Sequence, residues 1–297
     1  MADTVFCLDI ADDAVTGVLV DRNSKATIIE GCGYAGLKGM PLDDGLVQVC
    51  RQAGFTGGPC RLSLGCEFFS FRNLSLPFSD RKKIAQILPF ELENISAAEA
   101  DTFLVDFQLS TTDQEETGVV AAAIEKELLV SFFSTFNNMG IDPDIIGIRG
   151  VQLALHLGES ISGDYLFLDI CPTCTGMIIV SGGRVALIRS LPFGSVGVKG
   201  GTRTGDLGLR VRQTLLASQI VDLRKKDFTV CFIGGGAAEQ QFADQLVSRL
   251  GGVEVKSYRL DEQPLVKLDP KAVEAYQPWL VDSVCALSLK SGVKGRR

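Results

Sequence analysis

Val5-Phe6-Cys7-Leu8-Asp9-Ile10 and Tyr165-Leu166-Phe167-Leu168-Asp169-Ile170 carry the same pattern, once in each half of the chain. Each is an unbroken apolar run that closes on an aspartate and an isoleucine. A short run of this kind, bounded by turn residues, predicts a strand buried on both faces. Each is followed by a turn and a second apolar run, at 15–20 and at 177–180. A strand–Asp–turn–strand unit that recurs in one chain is the trace of two related lobes, each with its own sheet. The length agrees, since 297 residues at roughly 150 per domain give two domains, each able to bury a core.

Working outward from the first unit, 27–31 reads as a third strand and 42–53 as a helix ending near Gly54. Strands at 61–64 and 69–76 follow. After Leu76-Pro77-Phe78, Ser79 or Asp80 can cap a helix carrying Ile84, Ile87, Leu88, Leu92 and Ile95, interrupted by Pro89. Strands at 103–109 and 118–124 and an amphipathic helix at 125–138 complete an inserted α+β subdomain at about 77–142, within a first lobe spanning 1–163. In the second lobe, 164–289, a strand at 184–191, a helix at 206–223, a strand at 228–233, a helix at 237–250 and a strand at 253–257 are predicted. A final helix at 270–289 is expected to pack back on the first lobe, and 290–297 form a basic tail.

The net charge of -7 and pI near 4.9 supply no basic footprint for nucleic acid. The tail with Lys290, Lys294, Arg296 and Arg297 reads as a solvated terminus, with an anionic membrane surface as the weaker alternative. Met1 to Thr4 lack a basic region leading into a long apolar run, so no secretory signal is predicted. No stretch approaches the ~20 apolar residues a spanning helix needs. The nine cysteines read as reduced and mostly buried. Cys171-Pro172-Thr173-Cys174 leads into another strand instead of the helix N-terminus that would lower a thiol pKa, so it reads as a structural turn. His156, the single histidine, lies in an apolar segment and reads as a packed residue; no metal-ligand set assembles around it.

Two Asp-tipped hairpins and a strand running into Gly234-Gly235-Gly236 are the marks of an α/β, two-lobed actin-like ATPase (ribonuclease H-like) fold. In that fold, backbone N–H groups of the two turns cradle phosphates, the acids orient hydrated magnesium, and the glycine loop lets backbone approach the nucleoside. The candidate remnant of such a site is Asp9, Asp169, Thr175, Gly234, Gly235 and Gly236. The turns themselves depart from the pattern. Asp9-Ile10 is followed by Ala11-Asp12-Asp13, where glycine, hydroxyls and a lysine are expected, and Asp169-Ile170 by Cys171-Pro172. Acids beside a triphosphate cost several kcal/mol at ~4 Å and an effective dielectric of ~20, and proline removes a donor. Only one long helix fits between the second hairpin and Gly234, so the nucleotide-covering subdomain reads as reduced.

The segments Leu76-Pro77-Phe78, Asp80-Arg81-Lys82-Lys83 and Leu88-Pro89-Phe90-Glu91-Leu92-Glu93, with the later Asp106, resemble the PilM family of type IV pilus assembly and the cytoplasmic part of the type II secretion L protein. The resemblance implies a scaffold at the cytoplasmic, inner face of the inner membrane. It would dock the cytoplasmic tail of a PilN-like or secretion-system inner-membrane protein, touch the assembly ATPase, and be peripheral to the membrane through its partners. A homodimer is also compatible. The groove that holds such a tail in the resembling proteins makes Phe69, Phe71, Phe78 and Phe90 the candidate partner-binding residues. Two readings follow: a scaffold that needs no cofactor because its site is degenerate, and an ATP–magnesium switch that biases docking. A small-molecule kinase would need a catalytic base, which the sequence does not offer.

Overall fold

The computed structural model describes residues 4–11, 14–22, 26–93, 100–112, 116–158, 160–195, 204–218, 220, 228–234, 239–251, 253–263 and 266–288. The chain opens with β1 (Thr4–Ala11), β2 (Ala14–Asp21), β3 (Thr27–Gly36), α1 (Leu42–Ala53) and β4 (Cys60–Leu64). Next come β5 (Ser70–Leu76), α2 (Arg81–Glu93), β6 (Phe103–Thr112), β7 (Thr117–Glu125), α3 (Lys126–Asn138), β8 (Pro143–Ile148) and α4 (Val151–Leu157). The second half holds β9 (Tyr165–Ile170), β10 (Thr175–Ser181), β11 (Arg184–Leu191), α5 (Thr204–Ser218), β12 (Thr229–Gly234), α6 (Glu239–Leu250), β13 (Glu254–Ser257), β14 (Val266–Leu268) and α7 (Pro278–Cys285).

The duplication read from the two apolar runs is a duplication of sheets. One sheet runs β14-β3-β2-β1-β4-β8 and the other β11-β10-β9-β12-β13. In both, the Asp-bearing strand pairs antiparallel with its hairpin partner on one side and parallel with the next strand on the other. Because side chains alternate along a strand, Phe6, Leu8 and Ile10 face α1 and α3, while Val5 and Cys7 face the opposite way. The same alternation in β9 sends Leu166, Leu168 and Ile170 toward α5 and α6, and Tyr165 and Phe167 toward α4 and α7. The result is five layers: helices, sheet, the shared α4–α7 layer, sheet, helices. Asp9 and Asp169, on the same parity as Cys7 and Phe167, therefore both point into the middle layer.

The inserted sheet, β5-β7-β6, begins at Ser70, ahead of the expected start at 77. Asp80 caps α2, its Oδ1 accepting the N–H groups of Lys82 and Lys83 at 2.8 and 3.1 Å. Pro89 lies inside that helix, which continues from Arg81 to Glu93 instead of being interrupted there. Helix α3 leaves the insertion and buries Leu129, Phe132 and Phe136 with the first lobe. Asn73 of β5 donates from Nδ2 to the carbonyl of Ala186 at 2.6 Å, so the insertion leans on edge strand β11 of the second sheet.

Other features also differ from expectation. Strand β14, within the stretch read as the second lobe, returns to pair with β3. The final helix does not start at 270: Gln277 is extended at φ -130° and ψ 109°, and α7 starts at Pro278. The residue before a proline is pushed out of the helical region, so Pro278 serves as the first helical residue instead of an interior one. Helix α5 ends at Ser218, ahead of the expected 223: Ile220 is a bend, and 219 and 221–223 lie outside the described residues. Strand β8 and helix α4 occupy a stretch in which the sequence showed only an apolar segment.

In the middle layer Asp282 is fully buried and accepts the N–H of Leu260 at 2.8 Å and the Tyr276 hydroxyl at 2.5 Å. Burial pushes its carboxyl from an ordinary 3.8 up to about 7, against the pull of those two bonds. The folded protein thus holds a proton that the unfolded chain has already released between those two values. This contribution to stability is full at acid pH and is lost as pH rises through about 7. Denaturant melts across that window should show Asp282→Asn flattening the decline; an unchanged slope would assign it to another group.

Candidate functional site

The two aspartates meet across the middle layer, and a third residue stands between them. Arg149 follows β8 at the turn into α4. Its Nε donates to Asp169 Oδ2 at 3.0 Å and its Nη1 donates to Asp9 Oδ2. All three side chains are buried, with Arg149 6% exposed and each aspartate 1%. Ser283 on α7 adds a hydroxyl bond to Asp169 Oδ2 at 2.5 Å. The Arg149 backbone is fixed as well: its N–H donates to the carbonyl of Leu64 at 2.9 Å, and its carbonyl accepts the Cys66 thiol at 3.6 Å. Gly150 turns the chain at φ +81°, a left-handed conformation that favours glycine, and a Cβ there would meet Asp169 Oδ2 at a tight 3.3 Å.

Burial pushes the Asp9 carboxyl up, and Arg149 pulls it back. Burial works against the charge of the guanidinium, but the two carboxylates outweigh it and hold its pKa well above the ordinary value. Arg149 therefore stays charged.

No protein-family model and no curated protein matches the sequence. Solved structures do resemble it. A PilM–PilN type IV pilus biogenesis complex matches with a TM-score of 0.75 at 17% identity, covering 96% of this chain and 97% of that one. A Bacteroides thetaiotaomicron protein of actin-like ATPase fold and unknown function matches at 0.57 and 8% identity, over 86% and 91% of the two chains. This chain has the actin-like ATPase fold. The cytoplasmic domain of EpsL, an inner membrane component of the Vibrio cholerae type II secretion system, matches at 0.52 and 10% identity over 97% and 96%.

Within this actin-like frame the remaining candidate residues can be placed. Thr175, at the foot of β10, is fully buried and donates its hydroxyl to the carbonyl of Phe193 at 2.7 Å. The 171–174 stretch is a hairpin turn in which the N–H of Cys171 donates to the carbonyl of Cys174 at 3.0 Å. Residues 192–195 lie over it. The N–H of Ser195 donates to the carbonyl of Cys171 at 2.9 Å, and a Cβ on Gly194 would come within 2.2 Å of the same oxygen. The Cys174 thiol meets the Glu67 carboxylate at 3.5 Å, so an acid faces this turn. Gly234 ends β12 opposite Ile170, in the left-handed region at φ +93°. Gly235, Gly236, Asp12, Asp13 and the basic tail from Lys290 lie outside the described residues.

These residues do not fit a magnesium-bound triphosphate. The space between the acids is taken by a charged guanidinium, the Thr175 hydroxyl is committed to protein, and the second turn is covered by its own chain. Among the described residues no His, Cys, Asp and Glu group could hold a metal ion. The described cysteines are free and eight of the nine are buried; burial pushes the Cys7 and Cys32 thiols up to about 12, which leaves them inert. His156 is half-buried on α4.

The four candidate phenylalanines do not form one patch. Phe69 and Phe71 stack with centroids 6.0 Å apart, Phe78 packs under α2, and Phe90 stands 64% exposed on the outer side of that helix. An apolar groove lies between β6 and α3, with a volume of about 560 Å³ and a lining of Leu104, Lys126, Leu129, Val130, Phe133, Ser134 and Asn137. Leu104 is 52% and Val130 66% exposed. Sequence reasoning missed both this groove and Arg149. A trace of each was present: Val130 breaks the polar face of the amphipathic helix, and Arg149 is a single cation between Ile148 and an apolar helix, where a charge requires a partner.

Proposed function

We propose that this chain is a non-catalytic scaffold that docks a short apolar segment of a partner in the groove between the inserted sheet and α3. The groove carries this reading. Leu104 and Val130 are large aliphatic side chains left in water on two different elements, and together with Phe133 they offer a continuous apolar strip, the setting in which a helix or extended peptide anchors. Likeness of fold to the PilM–PilN complex supports a partner of the PilN kind, the cytoplasmic tail of an inner-membrane protein of a pilus or secretion machine. The protein would then work at the inner face of that membrane, beside the assembly ATPase. No helix among the described residues is long and apolar enough to cross a membrane.

The test is co-purification of the full chain with the cytoplasmic tail of the PilN-like protein from the same cell. Val130→Asp and Leu104→Asp place a charge in the strip and are expected to weaken capture by about 30-fold, as loss of an interface anchor does. Both sites are exposed, so melting temperature should not move. Undiminished capture by both variants would overturn the groove assignment. Calorimetric titration with ATP and magnesium addresses nucleotide separately: stoichiometric binding would replace the scaffold with a nucleotide-biased switch.

A further inference from the structure

We infer that Arg149 is a built-in counter-ion that takes the place of a divalent cation between the two lobes' acids, holding both lobes in one arrangement whether or not nucleotide is present. The inference rests on the degenerate-site part of the scaffold reading but not on the groove. Two carboxylates from separate sheets, buried and converging, cannot both stay ionised without a positive charge between them. In an actin-like site that charge can arrive with a ligand, and the lobes can then respond to the ligand. Here it arrives from the chain. Arg149 is anchored to the first sheet through the Leu64 carbonyl and reaches Asp169 of the second sheet and Asp9 of the first. Gly150 permits the approach, and Ser283 ties α7 to the same carboxylate. A guanidinium suits this task because it stays charged when buried and presents several donors in one plane.

If Arg149 stands in for a divalent cation, deleting its side chain leaves an acidic pocket that a free cation can fill. Thermal melts of the full chain with chelator, with millimolar magnesium or manganese, and with magnesium plus ATP are expected to coincide for the unaltered protein. Arg149→Ala should melt about 10 °C lower in chelator and regain a large part of that loss in manganese or magnesium. Adding Asp9→Asn and Asp169→Asn to Arg149→Ala should remove the metal response.

If Arg149→Ala folds only when metal is supplied during purification, the inference stands. If it stays unfolded with metal while the triply substituted chain folds, the cation-substitute role is wrong. An Arg149→Ala protein that melts with the unaltered one, or that is destabilised without any metal response, also overturns it, as does an unaltered protein stabilised by magnesium–ATP. None of these results bears on capture by the groove, so failure here and failure of the docking reading are told apart.

Discussion

Asp169→Ala should destabilise the protein by about 3–5 kcal/mol, because it strands a guanidinium that cannot reach water. Asp169 accepts from both Arg149 and Ser283, so its loss leaves Nε of Arg149 and the Ser283 hydroxyl without this acceptor in the middle layer. Arg149 would keep Asp9, and the penalty is therefore that of an incompletely compensated buried charge, not of the whole cluster. Urea unfolding followed by circular dichroism reads the change directly. Removing all three charges together gives the control: Asp169→Ala and Asp9→Asn with Arg149→Met delete the stranded cation and its remaining acid and fill part of the space with an apolar chain. This triple variant should recover a substantial share of the loss, since buried ion pairs contribute little beyond what good apolar packing supplies. If Asp169→Ala alone leaves the midpoint where it was, the ion pair across the lobes does not stabilise the fold.

Gly234→Ala is expected to cost about 3 kcal/mol or more, with no nucleotide in the experiment. At φ +93° a side chain is already strained, and a Cβ there would come within 2.1 Å of the Ile170 carbonyl oxygen. Both atoms belong to the paired backbones of β12 and β9, so neither can move without breaking the sheet that carries Asp169. Gly54 supplies the comparison: it also has positive φ, +74°, but a Cβ there would meet nothing within 4 Å. Gly54→Ala should cost only about 1 kcal/mol, the strain of the left-handed cap alone. A Gly234→Ala protein as stable as the unaltered one would mean that the glycine is kept for a ligand and not for packing.

The sequence carried these features unequally. The duplicated apolar runs ending at Asp9 and Asp169 were legible because a strand buried on both faces needs only local chemistry, an unbroken apolar stretch between turns. The helix ending at Gly54 and the Asp80 cap were legible for the same reason: caps are decided within a few residues. The final helix was read too long although its signal was local. Pro278 disfavours helical geometry at Gln277, which is extended; of the apolar residues before it, Ala272 and Tyr276 pack on the core while Val273 is exposed.

What the sequence could not decide is which buried group meets which. Asp9 and Arg149 lie 140 positions apart and Asp169 another 20 beyond Arg149; their meeting depends on two sheets being held face to face by α4 and α7. The groove likewise exists only because β6 of the insertion and α3 of the first lobe come together, and β14 joins the first sheet only after the chain has crossed the second. By itself the sequence determined that the apolar strand closing on an aspartate occurs twice, and which strands bear the acids. Only the tertiary structure decided that a cation from the chain stands between those acids, because the cost of a buried charge is settled by its neighbours in space and not by its neighbours along the chain.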